Sequence, residues 1–180
     1  GKAMGLSGKD GALIRARKKR HYVFGDDGQQ EEIDLGFVGE VERIKASVIG
    51  EVIGQGYIPV IAPIGVGENN ETYNINADYV ASKVAQALHA DKLVLLTDTE
   101  GIYGGDEHDR HLFTSLAVDQ VDALIRKGTI NGGMIPKVEC CVDAINEGVE
   151  RVHIIDGRVP HCILLEIFTD SGIGTMIVKE

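Results

Sequence analysis

The stretch Tyr73-Asn-Ile-Asn-Ala-Asp78 joins an apolar run to a segment with helical periodicity. The apolar run covers Tyr57–Ile64 and leads into Gly65-Val66-Gly67, and the helical segment covers Tyr79–Ala90. An open α/β sheet builds its ligand sites from this succession of strand, polar loop and helix, at the carboxyl ends of its strands. The stretch therefore predicts an α/β fold with a candidate ligand site at Tyr73–Asp78.

The polar side chains of this stretch allow two interpretations. Asn76 is a suitable N-cap, and Asp78 then lies in the first helical turn, where the helix dipole favours a negative charge. In the first interpretation these residues only cap the helix and order the loop. In the second they present polar groups to a ligand. The local pattern alone leaves both open.

The composition is that of a globular chain with a moderate acidic excess. The 180 residues are 43% hydrophobic and 26% charged, and the formal net charge is −10. This length predicts one domain with a core of its own. The negative charge argues against nucleic acid or an anionic membrane as a partner. A phosphate site would therefore need cations placed locally.

The cysteines and the termini give expectations about the compartment. Cys140, Cys141 and Cys162 are odd in number and two are adjacent, which predicts free thiols in a reducing, cytosolic compartment. No run approaches the roughly 20 apolar residues of a membrane span. The segment Gly1–Leu6 resembles a strand entered partway rather than a signal peptide, so we expect a fragment.

Periodicity and turn residues predict alternating strands and helices. The predicted strands are Ala3–Ser7, Ala12–Arg17, Leu35–Val41, Ile58–Ile64, Lys92–Thr97, Arg151–Ile155 and Gly174–Val178. The predicted helices are Ile44–Ile53, Asn76–Ala90, Val118–Arg126, a helix from Met134 that ends at Gly148, and Pro160–Thr169. Asp10-Gly11 predicts a hairpin between the first two strands, and residues 25–34 and 104–111 are expected to be solvated loops. The alternation predicts a mainly parallel sheet covered by helices on both faces, with Ile58–Ile64 and Lys92–Thr97 buried.

A second stretch, Thr129-Ile-Asn-Gly-Gly-Met-Ile-Pro-Lys137, precedes and enters a predicted helix. Backbone N–H groups at Gly132-Gly133, the helix dipole and the charge of Lys137 together predict an anion site. The alternative is a tight turn followed by a solvated surface lysine. Pro136 fits the first helical turn, where its missing N–H costs little.

Several familiar sites are excluded or weakly indicated. The sequence has no Gly-x-x-x-x-Gly-Lys-Ser/Thr motif, which excludes a P-loop kinase. Gly65-Val66-Gly67 lacks the third glycine of a dinucleotide-binding fingerprint. The cysteines lack zinc-site spacing, and His108 and His111 fall in an acidic loop expected to be exposed. No metal-ligating residues are predicted.

Eight blocks of sequence stand out along the chain. They are Leu6-Ser-Gly-Lys-Asp-Gly11, Leu35-Gly-Phe-Val-Gly-Glu-Val41, Ile61-Ala-Pro-Ile-Gly-Val-Gly67, Tyr73-Asn-Ile-Asn-Ala-Asp78, Leu95-Leu-Thr-Asp98, Gly132-Gly-Met-Ile-Pro-Lys137, Ile154-Ile-Asp-Gly-Arg-Val-Pro-His161 and Gly174-Thr-Met176. Taken together, these blocks resemble the acetylglutamate kinases of the amino acid kinase family, in the family's order and over the whole chain. Several blocks are specific to these kinases rather than to carbamate kinase or UMP kinase.

The resemblance implies transfer of the γ-phosphoryl group of MgATP to the side-chain carboxylate of N-acetyl-L-glutamate, with Mg²⁺ held mainly by the nucleotide. It implies that Lys137 stabilises the transferring group, that Asp78 orients the lysines and that Asn74 and Asn76 bind the substrate. The implied nucleotide-binding residues are Asp98, Thr99, Gly101, Ile102, Tyr103, Thr129, Asn131, Gly132 and Gly133. The implied fold is a three-layer α/β sandwich.

The resemblance also implies regulation and assembly. His153, Glu166 and Gly172 match the arginine pocket of arginine-inhibited members, where a carboxylate faces a guanidinium. The alternative is that Glu166 is an ordinary surface residue of the last helix. The resemblance further implies a cytoplasmic homo-oligomer, a dimer or hexamer, with no nucleic-acid or membrane partner.

The family's N-terminal part has no counterpart in this sequence. That part holds the first catalytic lysine, a glycine loop for the phosphates and an arginine for the substrate. We therefore expect one incomplete domain, with residues 1–42 as a β-hairpin or lid region and residues 43–180 as the nucleotide-binding portion. We also expect no activity from this chain alone. Two alternatives stay open, a non-catalytic arginine- or nucleotide-binding module and a related kinase with another substrate.

Overall fold

The computed structural model describes residues 1–24, 28–105, 109–170 and 172–179, in which runs of strands are separated by helices. The strands of this part are β1 (Lys2–Ser7), β2 (Ile14–Lys18), β3 (His21–Phe24), β4 (Gln30–Ile33), β5 (Gly39–Ile44), β6 (Tyr57–Ala62), β7 (Ile64–Val66), β8 (Thr72–Asn74), β9 (Lys92–Thr97), β10 (Tyr103–Gly104), β11 (His111–Leu112), β12 (Ser115–Ala117), β13 (Arg151–Asp156) and β14 (Thr175–Val178). The α-helices are α1 (Ala46–Gly54), α2 (Ala77–Ala87), α3 (Val118–Arg126), α4 (Met134–Asn146) and α5 (Cys162–Phe168).

The chain forms two compact units, and the first is Gly1–Ala87. In it β1 and β6 pair in parallel, from Lys2 opposite Tyr57 to Ser7 opposite Ala62. A second sheet has the strand order β5-β2-β7-β8, in which β2 is antiparallel to β5 and parallel to β7. Strands β3 and β4 form an antiparallel hairpin. The fully buried side chains include Leu13, Ile14 and Ile49.

The second unit, Leu88–Glu180, contains a sheet with the order β12-β14-β13-β9. Strands β9 and β13 are parallel, and Thr97 lies opposite Asp156 where both strands end. Strand β14 is antiparallel to β13 and parallel to β12. Residues of β13 and α4, among them Ile154 and Val138, are fully buried and form the core of this unit. The predicted α/β fold with parallel strands is confirmed.

All five predicted helices are present, and two of them begin at the predicted residue. Helix α3 has the predicted bounds, Val118–Arg126, and the chain turns at Gly128, whose φ is +74°. Helix α4 begins at Met134 as predicted and is followed by Gly148 at φ +104°, a conformation that glycine adopts without a steric penalty. Helix α5 begins two residues later than predicted, and α2 ends earlier.

The predicted hairpin at Asp10-Gly11 is wrong. Strand β1 pairs with β6, and β2 pairs with β5 and β7, so the two strands lie in different sheets. The Ser7 N–H donates to Asp10 Oδ2 over 2.6 Å, and the Ile14 N–H donates to the Gly8 carbonyl over 2.7 Å. These bonds close a short 3-10 turn, Asp10–Ala12, that redirects the chain.

The apolar run Ile58–Ile64 was expected to be one buried strand. It is divided between β6 and β7 at Pro63, which has no N–H to donate to a strand pair. Ile58 and Val60 on one face of β6 are 61% and 57% exposed. In β9, Leu93 and Leu95 are buried but Leu96 is 50% exposed, so full burial was also wrong there. Apolar content alone did not show which face is covered.

The short strands were missed. Strand β4 falls within the loop expected at residues 25–34, and β3 precedes that loop, where no element was predicted. Strands β10 and β11 lie at the two ends of the loop expected at residues 104–111. Residues 25–27 and 106–108, including His108, lie outside the described residues. Strands β8 and β12 have three residues each, too few to establish a period. The strand expected at Leu35–Val41 begins later, at Gly39.

Two further expectations concern cysteines and membranes. Cys140, Cys141 and Cys162 are buried free thiols. Within the described ranges, no helix combines the length and the apolar character needed to cross a bilayer.

Candidate functional site

In the first unit, the predicted substrate-binding residues lie between β8 and α2. Asn74 and Asn76 are exposed, whereas Ile75 between them is 3% exposed and its N–H donates to the Pro63 carbonyl over 3.0 Å. The Asn74 N–H donates to the Phe37 carbonyl over 2.9 Å. The buried isoleucine and the two backbone bonds anchor a segment that presents both asparagine side chains outward.

Asn76 caps helix α2, as predicted. Its Oδ1 accepts hydrogen bonds from the N–H groups of Asp78, at 2.9 Å, and Tyr79, at 3.3 Å. Asp78 lies in the first turn and is half-buried. The capping interpretation of Asn76 is therefore confirmed, and the same bonds fix Asp78 at the helix N-terminus.

In the second unit, the predicted nucleotide-binding loop Asp98–Tyr103 leaves the carboxyl end of β9. Its N-terminal residues 98–100 are exposed, whereas Gly101 and Ile102 are buried. The Ile102 N–H donates to Thr175 Oγ1 over 2.8 Å in a buried bond. This bond attaches the loop to β14, and sequence reasoning assigned no role to Thr175.

Two charged side chains contact Tyr103 at the end of this loop. Its hydroxyl donates a hydrogen bond to Glu100, and the Arg110 guanidinium lies 4.0 Å from the centre of its ring. The hydrogen bond to Glu100 is the main reason why the pKa of Tyr103 is raised. Tyr103 therefore keeps its proton at neutral pH and holds the Glu100 carboxylate in the loop.

The turn between α3 and α4 contains the predicted residues Thr129, Asn131, Gly132 and Gly133. Asn131 Nδ2 donates to the Gly128 carbonyl over 2.9 Å, and Gly132 has a φ of +55°. Gly133 is the N-cap residue of α4. A methyl group added at either glycine would meet nothing within 4 Å, so both backbones face open space.

The start of α4 offers fewer backbone donors than the sequence suggests. The Met134 and Ile135 N–H groups donate to the carbonyls of Asn131 and Gly132 over 3.2 and 3.3 Å, and Pro136 has no N–H. Lys137 is half-buried, one turn into the helix. An anion at this end would therefore depend on the two glycines and on the lysine charge.

A buried carboxylate lies where β13 ends. Asp156 Oδ1 accepts from both Nε and the backbone N–H of Arg158 over 2.9 Å, and Oδ2 accepts from Nη2 over 2.8 Å. These bonds from Arg158 lower the pKa of Asp156 to about 2. The family resemblance includes both residues in the block Ile154–His161 but implies no role for either of them. An Asp-Gly-Arg directly after an apolar strand is the signal that could have indicated one.

The three residues predicted for an arginine pocket come together. His153 Nδ1 lies 2.7 Å from Glu166 Oε1, and the two side chains are 8% and 5% exposed. A methyl group added at Gly172 would lie 2.8 Å from Glu166 Oε2. The Glu166 carboxylate is therefore enclosed in this cluster, contrary to the alternative of an ordinary surface residue.

Glu166 is held ionised by its neighbours. Burial alone opposes ionisation, but the N–H groups of Ile173 and Gly174, at 2.6 and 3.2 Å from Oε2, and the His153 ring outweigh it and lower the pKa of Glu166. His153 Nε2 is buried and has no hydrogen-bond partner among the described residues. The cluster thus contains one charged acceptor and one unsatisfied polar atom.

The predicted residues divide between the two units. Asn74, Asn76 and Asp78 belong to the first. The loop Asp98–Tyr103, the turn Thr129–Gly133, Lys137 and the histidine–glutamate cluster belong to the second. Among the residues that the structure describes, no group of three or more His, Cys, Asp or Glu side chains is arranged to hold a metal ion.

Comparison with known proteins gives consistent matches. The chain is 58% identical over 178 residues to the acetylglutamate kinase of Moorella thermoacetica, covering 99% of this chain and 60% of the relative. It is 57% identical over 179 residues to that of Heliobacterium modesticaldum, covering 99% and 61%. The chain thus spans about 60% of the length of these relatives.

A solved structure has a fold similar to that of this chain. The N-acetylglutamate synthase of Neisseria gonorrhoeae, complexed with coenzyme A and L-arginine, matches with a TM-score of 0.79 and 26% identity, over 99% of this chain and 38% of that one. The profile of the amino acid kinase family matches residues 1–156. This chain therefore belongs to the amino acid kinase family.

Proposed function

We propose that this chain is part of an acetylglutamate kinase, which transfers the γ-phosphoryl group of ATP to the side-chain carboxylate of N-acetyl-L-glutamate in arginine biosynthesis. The identity of 58% to such a kinase, along 99% of the chain, is the observation that carries the proposal. A carbamate kinase and an isopentenyl phosphate kinase share the fold, at 18% sequence identity.

The reaction brings together two anions, so the protein must neutralise charge and align the reacting groups. Lys137 supplies a positive charge one turn into α4 and stabilises the phosphoryl group in transfer. Asp78, at the N-terminus of α2, is the carboxylate that keeps the catalytic lysines charged and oriented. No covalent intermediate is required.

The nucleotide contacts the second unit. The nucleotide binds to the loop Asp98–Tyr103 and to the turn Thr129–Gly133. In this turn, two glycines with open space beside them allow phosphate to approach the backbone. Mg²⁺ reaches the site bound to ATP and is held mainly by the nucleotide. Thr175 positions the loop Asp98–Tyr103 by accepting a hydrogen bond from the Ile102 N–H.

The substrate contacts the first unit. Asn74 and Asn76 present amide groups on the outer side of a segment that Ile75 anchors. Because Asn76 Oδ1 is occupied by the helix cap, its Nδ2 is the group that donates to the carboxylate or acetyl oxygen of N-acetyl-L-glutamate.

L-arginine is the proposed effector. His153, Glu166 and Gly172 form a cluster with a buried carboxylate that matches the charge and planar shape of a guanidinium. The gonococcal synthase, whose match covers 99% of this chain, was solved with L-arginine. We further propose that the whole protein is a cytoplasmic homo-oligomer, a dimer or hexamer.

Calorimetric titration of the chain with MgADP tests the nucleotide part of the proposal. We expect saturable binding that Asp98→Ala or a double alanine substitution at Gly132 and Gly133 weakens. Asp91→Ala is the matched control, because Asp91 is an exposed acid at the other end of β9. L-arginine binding without MgADP binding would instead support a non-catalytic arginine-binding module.

Phosphoryl transfer is tested by joining the chain to the N-terminal part of the Moorella thermoacetica relative. We expect no turnover of N-acetyl-L-glutamate by the chain alone and turnover by the joined protein. Lys137→Met should lower kcat by about 100-fold or more, whereas Lys127→Met, an exposed lysine after α3, should not. Full activity of the Lys137 variant would contradict the assigned role.

A further inference from the structure

Two strands of the second unit end side by side, and the residues that follow them share one edge of the sheet. Thr97 of β9 lies opposite Asp156 of β13 in a parallel pair, and the Gly157 N–H donates to the Thr97 carbonyl over 2.8 Å. Residues 98–103 and Arg158 therefore leave the sheet at the same carboxyl edge. Ligands of α/β proteins bind at such edges.

Arg158 is anchored at this edge. Its Nε and Nη2 donate to the two oxygens of Asp156, and its backbone N–H also donates to Oδ1. Asp156 itself is only 7% exposed. The planar, two-point contact with a buried carboxylate fixes the plane of the guanidinium, so little side-chain freedom remains to be lost when a ligand binds.

The anchored guanidinium keeps donors for a ligand. The Arg158 side chain is 68% exposed although its partner is buried. Among the described residues, Asp156 is the hydrogen-bond partner of the guanidinium, which leaves the Nη1 group and one N–H of Nη2 available.

The charge around Arg158 is negative. Besides Asp156, the Asp98 and Glu100 carboxylates are close enough to contribute to the raised pKa of Arg158, after the main contribution of its hydrogen bond to Asp156. Three carboxylates at one edge repel a polyphosphate. A nucleotide that binds along residues 98–103 therefore needs a cation fixed at this edge.

We propose that Arg158 is a phosphate-binding residue of the nucleotide site, held in position by Asp156 and donating through Nη1 and Nη2 to the polyphosphate. The inference rests on the proposed nucleotide binding at Asp98–Tyr103. It assigns Asp156 as a positioning residue, since this carboxylate contacts the guanidinium and not the nucleotide.

Calorimetric titration of the 180-residue chain with MgADP and with adenosine tests the proposal. Loss of a hydrogen bond to a charged group predicts that Arg158→Gln weakens MgADP binding by about 10- to 100-fold. Adenosine has no phosphate, so its affinity should stay the same. Arg158→Lys keeps the charge without the fork geometry, and we expect an intermediate affinity for MgADP.

Arg151→Gln is the matched control. Arg151 is an exposed arginine at the start of β13, the strand after whose other end Arg158 follows. Its variant should bind both ligands like the unmodified chain. Thermal melts of all variants establish that each is folded before the affinities are compared.

The outcomes separate the inference from the proposal on which it rests. If neither the unmodified chain nor the joined protein binds MgADP, the proposed nucleotide site fails and the role of Arg158 fails with it. If only the joined protein binds MgADP, the variants are compared in the joined protein. If the unmodified chain binds and Arg158→Gln binds MgADP equally well, only the inference is overturned. Equal weakening for MgADP and adenosine would also overturn it, because it would indicate a structural role.

Discussion

The environment of Asp156 favours the ionised form of its side chain. Its three hydrogen bonds come from a single residue, Arg158, and the ionised form accepts all of them. The pKa of Asp156 is about 2 instead of the ordinary 3.8. Because the folded-state pKa is the lower one, the ionised carboxylate stabilises the fold above about pH 4, and this contribution is lost as the pH falls towards 2.

We predict that carboxyl-carbon NMR gives Asp156 a pKa of about 2 and that Arg158→Gln raises it to 3.8 or above, because the hydrogen bonds are removed while burial remains. The same variant should lose less stability than the unmodified chain between pH 4 and pH 2. In Arg151→Gln the pKa of Asp156 should stay at about 2. An unchanged pKa in Arg158→Gln would contradict the assigned cause.

At the N-terminus of α2, one side chain determines whether two backbone donors are satisfied. Asn76→Ala removes the acceptor for the N–H groups of Asp78 and Tyr79. We expect the free energy of unfolding to fall by about 1 kcal/mol, measured by urea denaturation. Asn76→Ser restores a capping oxygen and should recover most of the loss. Equal stability of the alanine and serine variants would show that the cap does not contribute.

At the scale of elements, glycines with different roles should respond oppositely to alanine. Gly172, before β14, has a φ of +59° and leaves room for the Glu166 carboxylate. Gly50 lies within α1, where an added methyl group meets nothing within 4 Å. The first glycine is required by backbone conformation and by a close neighbour, whereas the second only weakens its helix.

We predict that Gly172→Ala lowers the free energy of unfolding by about 1–3 kcal/mol, since alanine disfavours this conformation and would displace Glu166. Gly50→Ala should raise it by about 0.5–1 kcal/mol. Chemical denaturation of both variants measures the two changes. Destabilisation by Gly50→Ala, or tolerance of Gly172→Ala, would contradict the geometry described for that position.

At the scale of the whole molecule, charge determines which partners are attracted. The basic stretch from Arg15 to Arg20 suggests an anionic partner when read alone, but nearby acids neutralise much of it in the fold. The ion pairs are Arg17–Glu40 at 2.6 Å, Lys18–Asp34 at 2.6 Å and Arg20–Glu32 at 4.0 Å. The net charge of the chain is −10.

We therefore predict no measurable binding of duplex DNA at physiological salt, because a net negative chain lacks the cations that displace counterions from DNA. Fluorescence anisotropy with a labelled duplex measures this, and a basic DNA-binding domain serves as the positive control. Micromolar affinity that falls steeply with salt would show that the basic stretch acts independently of its acidic neighbours.

Local sequence determined several elements and contacts. The period of Val118–Arg126 and the glycine that follows it predicted α3 to the residue, and the position of Asn76 predicted the cap of α2. Helical period and capping depend on residues within one or two turns, so they can be read along the chain. The roles assigned to Asp98–Tyr103 and Lys137 rest on the family motifs and stay predictions.

Only the tertiary structure determined which distant elements meet. It paired β1 with β6 instead of β2 and reversed β14 against β13. It also left one face of β6 exposed. Strand pairing and the burial of a sheet face depend on how all strands and helices pack together and on which apolar faces that packing covers. No single segment contains that information, because it arises from packing the whole chain.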